Sequence, residues 1–191
     1  MSRFFNQFLY ASGCFYELAK GLIFFVVFLG LFTAFVATIN IVNGRSMFPN
    51  FEDGQLIIID RLSYRWRLPE RGDAVTLRFP GDPDKVKYIK RIIGLPGEQV
   101  ALGDDILLIN GQPLLEDYIP AEFTTGQTGQ YKNWQLGPDE YFLVGDNREN
   151  SSDSRIYGPV ERRFLIGRAL AVIWPIKTIG FVPPVFYRPQ K

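Results

Sequence analysis

An uncharged apolar run near the N-terminus constrains this chain more than any other feature. The run extends from Gly21 to Val42, 22 residues, and its only polar side chains are Thr33, Thr38 and Asn40. As a helix it would be about 33 Å long, which exceeds the hydrocarbon thickness of a bilayer, about 30 Å. A buried core helix and a cleaved signal peptide are alternatives, but cleaved signals have apolar stretches of only about 7–15 residues. We therefore predict a retained transmembrane helix over residues 21–42.

The charges before this run indicate its orientation. Residues 1–20 carry only Arg3, Glu17 and Lys20 as charged side chains, and a basic excess beside a first helix favours the cytoplasmic side. We predict a single-pass protein of the cell membrane, with a cytoplasmic segment over residues 1–20 and an extracytoplasmic domain over residues 43–191. The aromatic residues of the first segment fit either an interfacial helix or a helix that extends the anchor inward.

Composition excludes several classes of function. The chain has 21 Lys and Arg against 20 Asp and Glu, a net charge of +1, so it offers no electrostatic case for nucleic acid as a partner. It has no histidine, which excludes Ser-His-Asp triads, Cys-His dyads and zinc sites with histidine ligands. Cys14 is the only cysteine, so an intrachain disulfide and a cysteine-rich metal site are excluded as well. We expect no cofactor and no metal, and any catalysis must use a base other than imidazole.

Beyond the anchor, the pattern predicts a domain built of strands. Short segments rich in β-branched and aromatic residues alternate with Gly, Pro, Asp and Asn clusters. The predicted strands are residues 55–60, 74–79, 86–93, 105–110, 141–144 and 164–174. Asn110-Gly111 is typical of a tight hairpin turn before residues 112–115, and residues 121–135 have the composition of an exposed loop. The predicted fold is mainly β: an N-terminal transmembrane helix followed by an antiparallel β-sheet domain with a small β-rich lobe over residues 98–140.

The segment Asn43-Gly44-Arg45-Ser46-Met47-Phe48-Pro49 follows the apolar run directly. Gly44 permits unusual backbone angles and Pro49 stiffens the exit, a layout that would hold the Ser46 hydroxyl at a fixed angle. A simple turn or cap explains the same residues. Because Ser46 lies four residues after Val42, we expect its hydroxyl within about 15 Å of the bilayer boundary.

Strand alternation predicts that Lys90 is directed into apolar surroundings. Its face of the predicted strand also carries Val86, Tyr88 and Ile92, whereas Arg91 points the other way with Lys87. Burial would disfavour the ammonium form and lower the lysine pKa, so that Lys90 could accept a proton from a serine hydroxyl. The alternative is a surface lysine whose aliphatic stem covers the strand edge.

A polar segment, residues 145–155, directly follows the predicted strand 141–144. Its eleven residues are dense in carboxylates, hydroxyls and arginines. Such residues are costly to bury unless they form a satisfied network of hydrogen bonds and ion pairs. A solvated loop is the alternative.

Four motifs, in this order, resemble those of the bacterial type I signal peptidases. They are Ser46-Met47-Phe48-Pro49 after a single anchor, Arg71-Gly72-Asp73-Ala74-Val75, the run from Tyr88 to Glu98 and the run from Gly145 to Arg155. The last two runs are long and specific. Together the four motifs cover the chain from about residue 40 to about residue 160.

The resemblance implies that the β-sheet domain is a catalytic domain that removes signal peptides from secretory preproteins. It implies Ser46 as nucleophile and Lys90 as general base, a Ser–Lys dyad. It also implies that Ser151 hydrogen-bonds and orients the lysine, and that Asp153 and Arg155 pair to hold the site together. The expected partners are therefore preproteins and the lipid bilayer.

We expect a small substrate pocket around an alanine-like side chain. Its predicted wall residues are Met47, Phe51, Ile57, Tyr88 and Ile89. A substrate strand beside the strand of Lys90 would send the side chains one and three positions before the cut to the same face. Small residues are therefore expected at both positions.

The chain departs from the family pattern at four positions. Gly44 stands where some members carry a serine whose hydroxyl helps bind the oxyanion, so either the backbone N–H of Ser46 does more of that work or another donor helps. Asn50 and Phe51 replace the usual Thr and Leu, and Glu98 replaces the usual Asp. None of these changes removes a catalytic group.

Two other classes of function are compatible with parts of the pattern. A self-cleaving regulator similar to the repressors of the bacterial damage response shares the Ser–Lys chemistry, but it would carry a DNA-binding region and its own scissile site in place of an anchor. A catalytically silent, membrane-tethered β-domain would be expected to have lost Ser46 or Lys90. The anchor argues against the first class, and the presence of both residues argues against the second.

Overall fold

A computed structural model of the chain describes residues 2–79, 86–103, 106–120, 123, 131–185 and 187. The chain divides into two compact units, with the boundary between Ala37 and Thr38. The first unit is the helix α1, Ser2–Phe35. Its segment Phe15–Phe32 has a mean hydropathy of 1.9, and by length and composition this helix could cross a membrane. Residues 2–20 belong to the same continuous helix, as expected if the first segment extends the anchor.

The helix ends earlier than residue 42, the boundary that the apolar run predicts. α1 ends at Phe35, and Ala37–Ile41 form strand β1, which lies beside β2 (Leu56–Asp60). Thr38, Ile39 and Ile41 are β-branched and fit a pleated strand better than a helix. The helical boundary is therefore corrected to Phe35. Eleven residues then lead from Phe35 to Ser46. At full extension they span about 36–40 Å, whereas a helix that ended at Val42 would have limited the distance from its end to Ser46 to about 15 Å.

The second unit is built of two sheets, and the predicted mainly β fold with a small β-rich lobe is confirmed. The remaining elements are β3 Ala74–Arg78, β4 Lys87–Gly94, β5 Gln99–Gly103, β6 Ile106–Ile109, β7 Gln112–Pro113, β8 Lys132–Gln135, β9 Glu140–Val144, α2 Ser154–Tyr157, β10 Val160–Glu161, β11 Leu165–Trp174 and β12 Gly180–Phe181. The larger sheet has the order β1-β2-β11-β3-β4-β9-β10, with β12 paired to β11. The smaller sheet has the order β7-β6-β5-β8 and forms the lobe. Each strand pair among β2 to β12 is antiparallel.

A shared apolar cluster holds the smaller sheet against the larger one. Ile93 and Phe142 of the larger sheet pack with Val100 and Leu107 of the smaller sheet, and all four are almost fully buried. Gly94 lies at this junction, where an added Cβ would come within 2.8 Å of the Leu136 and Phe142 side chains. The lobe is thus fixed to the strand that carries Lys90.

Two strands of the lobe were not predicted. β5 is amphipathic over only five residues, and β8 lies at the end of the segment predicted as an exposed loop over residues 121–135. Residues 132–135 form a strand because they pair with β5. Their polar composition alone does not predict a strand. Within that predicted loop, residues 121, 122 and 124–130 lie outside the described residues, as does residue 105 of another predicted strand.

Candidate active site

Ser46 lies in the connection between β1 and β2. The two ends of this connection are closed by hydrogen bonds from Val42 N–H to the Gln55 carbonyl and from Gly54 N–H to the Val42 carbonyl. Gly44 has a φ of +82°, a value that a residue with a Cβ rarely adopts, and its N–H donates to Asp53 Oδ1 at 2.7 Å. The predicted role of Gly44 in shaping this turn is consistent with that geometry.

Lys90 contacts Ser46 directly. The Lys90 Nζ donates to the Ser46 Oγ at 2.6 Å, although 44 positions separate the two residues in the chain. Lys90 lies on β4, which is flanked by β3 and β9 in the middle of the larger sheet. The two residues that the sequence singled out as a dyad are thus brought together by the fold.

The environment of Lys90 makes its neutral form more accessible than in an exposed lysine. The residue is only 2% exposed, and burial lowers its pKa to about 8. The carboxylates of Asp153 and Asp146 oppose this shift, and the charge of Arg155 reinforces it. A lysine with this pKa is partly deprotonated near neutral pH and can accept a proton there.

The reason for this burial differs from the one that strand alternation predicted. Val86 and Tyr88 are more than one-third exposed, so the first part of β4 does not present a buried apolar face. Burial begins at Ile89 and then includes both faces of the strand, with Arg91 only 2% exposed. Separate groups of side chains cover the two faces: Ile89 packs in a core cluster with Met47 and Phe51, and Ile92 packs in another with Tyr141 and Leu143. The period-two pattern of one strand cannot show that both faces are covered.

The polar segment after β9 packs against the Ser46 turn. Asn147 N–H donates to the Ser46 carbonyl at 3.0 Å. A Cβ added at Gly145 would collide with this same carbonyl and with the Ser151 Oγ. A glycine at position 145 is therefore what permits the segment to approach the turn so closely.

Asp153 and Arg155 form the ion pair that the resemblance implied. Arg155 donates to Asp153 through Nε at 2.8 Å and through a terminal nitrogen at 2.9 Å, and both side chains are at most 3% exposed. Gly145 N–H also donates to Asp153 at 3.0 Å. Burial by itself would raise the pKa of Asp153, but the Arg155 hydrogen bonds and charge and the Gly145 N–H hold this pKa below its ordinary value.

Ser151 lies beside Gly145, but its predicted hydrogen bond to Lys90 is not formed in this structure. Its Oγ is buried and has no hydrogen bond of normal geometry to any described residue. The hydroxyl still lies close enough to Asp153 to favour the ionised carboxylate. The orienting role of Ser151 stays a prediction.

A second buried ion pair, which was not predicted, lies beside the first. Arg91 donates to both carboxylate oxygens of Asp146, at 2.8 and 2.6 Å, and both residues are nearly inaccessible. Asn50 Nδ2, on the Ser46 side, donates to the same carboxylate at 3.0 Å. The sequence indicated that carboxylates in residues 145–155 need partners. It did not identify Arg91 as one of them, because strand alternation only placed Arg91 on the same face as Lys87.

The predicted pocket residues fall into two groups. Ile57, Tyr88 and Ile89 line a small cleft of about 20 Å³ next to Ser46, together with Asn40, Ile41, Asn43, Thr76 and Lys87. Met47 and Phe51 do not line this cleft; their side chains are 0% and 1% exposed and pack in the same core cluster as Ile57 and Ile89. Their role as pocket walls stays a prediction.

Comparison with known proteins places the chain in a family. A family model described as signal peptidase, peptidase S26, matches residues 15–174. The chain is 37% identical to a probable signal peptidase I-2 of Synechocystis over 171 residues, which cover 87% of this chain and 76% of that protein. It is 33% identical to a signal peptidase I of Bacillus amyloliquefaciens over 172 residues, covering 86% and 88%. A crystal structure of a signal peptidase I from Enterococcus faecalis, 32% identical, covers 53% of this chain and 97% of its own, with a TM-score of 0.46.

The chain belongs to the signal peptidase family, peptidase S26. It is accordingly a peptidase.

Three of the four departures from the expected pattern have a local hydrogen-bond partner. Glu98 accepts a hydrogen bond from the Leu95 N–H at 2.7 Å and an ion pair from Arg71, which fixes the turn between β4 and β5. Asn50 joins the Ser46 side to Asp146, as described above. Gly44 has no hydroxyl, and its N–H is already bonded to Asp53. The Ser46 N–H, the oxyanion donor expected from the sequence, donates no backbone hydrogen bond to any described residue.

Proposed function

We propose that this chain is a membrane-anchored serine endopeptidase that removes signal peptides from secretory preproteins. The observation that carries the proposal is the 2.6 Å contact between Ser46 Oγ and the buried Lys90 Nζ, in a chain without histidine. Family membership supports the substrate class, because the relatives are signal peptidases. The apolar helix α1 supports an anchor in the bilayer from which such substrates emerge.

In the proposed mechanism, neutral Lys90 accepts the proton of the Ser46 hydroxyl as Oγ attacks the carbonyl carbon at the cleavage site. The charge that develops on the carbonyl oxygen is stabilised by the Ser46 N–H. Lys90 then gives its proton to the leaving amine, and the signal peptide remains bound to Ser46 as an ester. A water molecule, with Lys90 again as base, hydrolyses this ester and restores the free hydroxyl.

The other predicted site residues hold Ser46, Lys90 and the substrate in position. Asp153 and Arg155 neutralise one another and hold the segment after β9 against the Ser46 turn. Ser151 is proposed to orient Lys90 once substrate is bound, since apo geometry often tightens in the complex. Ile57, Tyr88 and Ile89 form the wall that limits the side chain before the cut to a small one.

The test is cleavage of a purified preprotein by the purified full-length chain. We expect Ser46→Ala and Lys90→Ala each to lower kcat/KM by a factor on the order of 10³ or more, and the double variant to be no worse than either one, because the two residues act as a unit. Circular dichroism of each variant controls for loss of the β-domain. Appreciable turnover by either single variant would refute the dyad.

A further inference from the structure

Arg45, the residue directly before the proposed nucleophile, carries a charge that the proposed reaction does not use. The residue is exposed. Seven other arginines form ion pairs with a carboxylate, whereas Arg45 forms none with any described residue. The Asp53 carboxylate accepts the N–H of the neighbouring Gly44 at 2.7 Å. A cation without a paired carboxylate therefore lies next to Ser46 in the chain.

Phe48 holds this cation in place. The Arg45 guanidinium lies over the Phe48 ring, 5.1 Å from the ring centroid, which is a cation–π contact. The Phe48 N–H donates to the Arg45 carbonyl at 3.2 Å and closes the turn around Ser46. The Phe48 ring packs edge-on against Phe123 of the lobe, with 5.3 Å between the ring centroids. A side chain that is already held in one place loses less conformational entropy when it binds a ligand.

The substrate residues that pass Arg45 are those after the cut. The cleft proposed to take the side chain before the cut is lined mainly by residues of β1 to β4, and by neither Arg45 nor Phe48. A substrate with that side chain in the cleft and its reacting carbonyl at Ser46 Oγ continues past the nucleophile and away from the cleft. An extended chain advances about 3.3 Å per residue, so its first three residues stay within about 10 Å of the reacting carbonyl. The long side chain of Arg45, which begins about 3.8 Å from the Ser46 Cα, reaches this part of the substrate.

The chemistry of a guanidinium decides which side chain it selects. It has only N–H donors and a permanent positive charge. Its planar fork matches the two oxygens of a carboxylate. An amide of similar shape offers one acceptor oxygen and no charge, and an ammonium group is repelled.

We propose that Arg45, held by Phe48, makes this enzyme prefer substrates with Asp or Glu among the first three residues after the cut. The inference rests on the proposed signal peptidase function and refines its substrate class. The contact is made with the part of the substrate that leaves when the ester on Ser46 forms. It therefore favours binding and formation of the ester, and it is absent when water hydrolyses the ester.

The test uses peptide substrates that are identical except for Glu or Gln at the second residue after the cut, assayed with the full-length chain at low ionic strength. We expect kcat/KM to be about two- to fivefold higher for Glu, the range expected for an exposed ion pair. The ratio should approach one as added salt screens the charges. Arg45→Gln should bring the ratio to one, and Arg45→Glu should make a Lys peptide a better substrate than the Glu peptide. Because each ratio is measured within one enzyme, a general loss of activity cancels.

Arg163 provides a matched control. It is an exposed arginine whose guanidinium also lies over a phenylalanine ring, that of Phe164, 5.0 Å from the centroid. Arg163→Gln changes the net charge of the chain as Arg45→Gln does, and it should leave the ratio at the wild-type value. Phe48→Leu keeps the Arg45 charge but removes its support, so a ratio between one and the wild-type value is expected. An unchanged ratio in Phe48→Leu would refute the supporting role of the ring.

Several results would overturn the inference: a wild-type ratio of one or below with Glu at each of the first three positions, a ratio that Arg45→Gln leaves unchanged, or an acidic preference found only before the cut. Binding tests the contact apart from chemistry, because the uncleaved peptides can be titrated into Ser46→Ala by calorimetry. The Glu peptide should bind about two- to fivefold tighter than the Gln peptide, and equal affinities would refute the contact. Failure of the proposed function has a different signature, namely no cleavage of the Gln peptide by wild type, or equal cleavage by Ser46→Ala.

Discussion

At the scale of single residues, the proposed chemistry depends on the protonation state of Lys90. Its pKa of about 8 means that the ammonium form dominates below this pH and cannot accept the Ser46 proton. We therefore expect kcat/KM to fall about tenfold per pH unit below pH 8 and to level off above it, because the free enzyme needs the neutral amine. A pH series with a preprotein at low concentration measures this limb. A rate that is constant from pH 5 to pH 9 would contradict a lysine base.

A conservative replacement distinguishes a base from a structural cation. Lys90→Arg keeps the positive charge, but a guanidinium stays protonated and cannot take a proton. We expect this variant to be inactive at every pH, as judged by preprotein cleavage. The same substitution at Lys177, which is exposed and does not line the cleft beside Ser46, is the control and should retain turnover. An active Lys90→Arg enzyme would show that position 90 supplies charge only.

At the scale of elements, the approach of the segment after β9 to the Ser46 turn depends on Gly145. Gly145→Ala would place a Cβ against the Ser46 carbonyl and the Ser151 Oγ. Since one of these contacts is backbone, we expect a destabilisation of about 1–3 kcal/mol from overpacking, together with reduced kcat. Gly180→Ala is the control, because an added Cβ there meets no atom within 4 Å. Urea unfolding and cleavage assays give both readouts, and unchanged activity in Gly145→Ala would argue against this close approach.

The Arg91–Asp146 pair ties β4 to the same segment. Asp146→Asn leaves the buried guanidinium without its counter-ion, so we expect a loss of about 3–5 kcal/mol in the free energy of unfolding. Arg163 and Glu161 form an exposed pair, and Glu161→Gln should cost no more than about 1 kcal/mol. Chemical unfolding of the full-length chain in detergent compares the two. Similar losses for the two variants would mean that the buried pair does not support the site.

At the scale of the whole molecule, the proposed function requires the β-domain and secreted substrates on the same side of the membrane. We expect protease added to intact spheroplasts to digest residues 43–191 and to spare a tag placed before Ser2. The physical reason is the slight basic excess before the apolar helix, which favours retention of the N-terminus inside. Opened spheroplasts, in which the tag is digested too, provide the control. Protection of the β-domain in intact cells would reverse the proposed topology.

The sequence by itself determined the apolar helix, the mainly β fold and the two residues of the proposed dyad. Each depends on a local pattern or a contiguous motif. The helix follows from a long apolar run without charged residues, and the strands from short segments rich in β-branched residues. The dyad follows from the specific motifs around Ser46 and Lys90. The absence of histidine, also evident from the sequence alone, excluded an imidazole as the catalytic base.

Only the tertiary structure decided where the helix ends and what surrounds Lys90. Ala37–Ile41 continues the uncharged run of the helix before it, and its pairing with β2 makes it a strand. Met47 and Phe51 appear beside Ser46 in the sequence, but packing places them in the core. Arg91, Asp146 and Asn50 come from three separate segments, so their contact arises only when the sheet is assembled. A local sequence pattern indicates the secondary structure that a segment prefers and which of its side chains share a face. Burial, and pairing between distant residues, depend on contacts that no single segment contains.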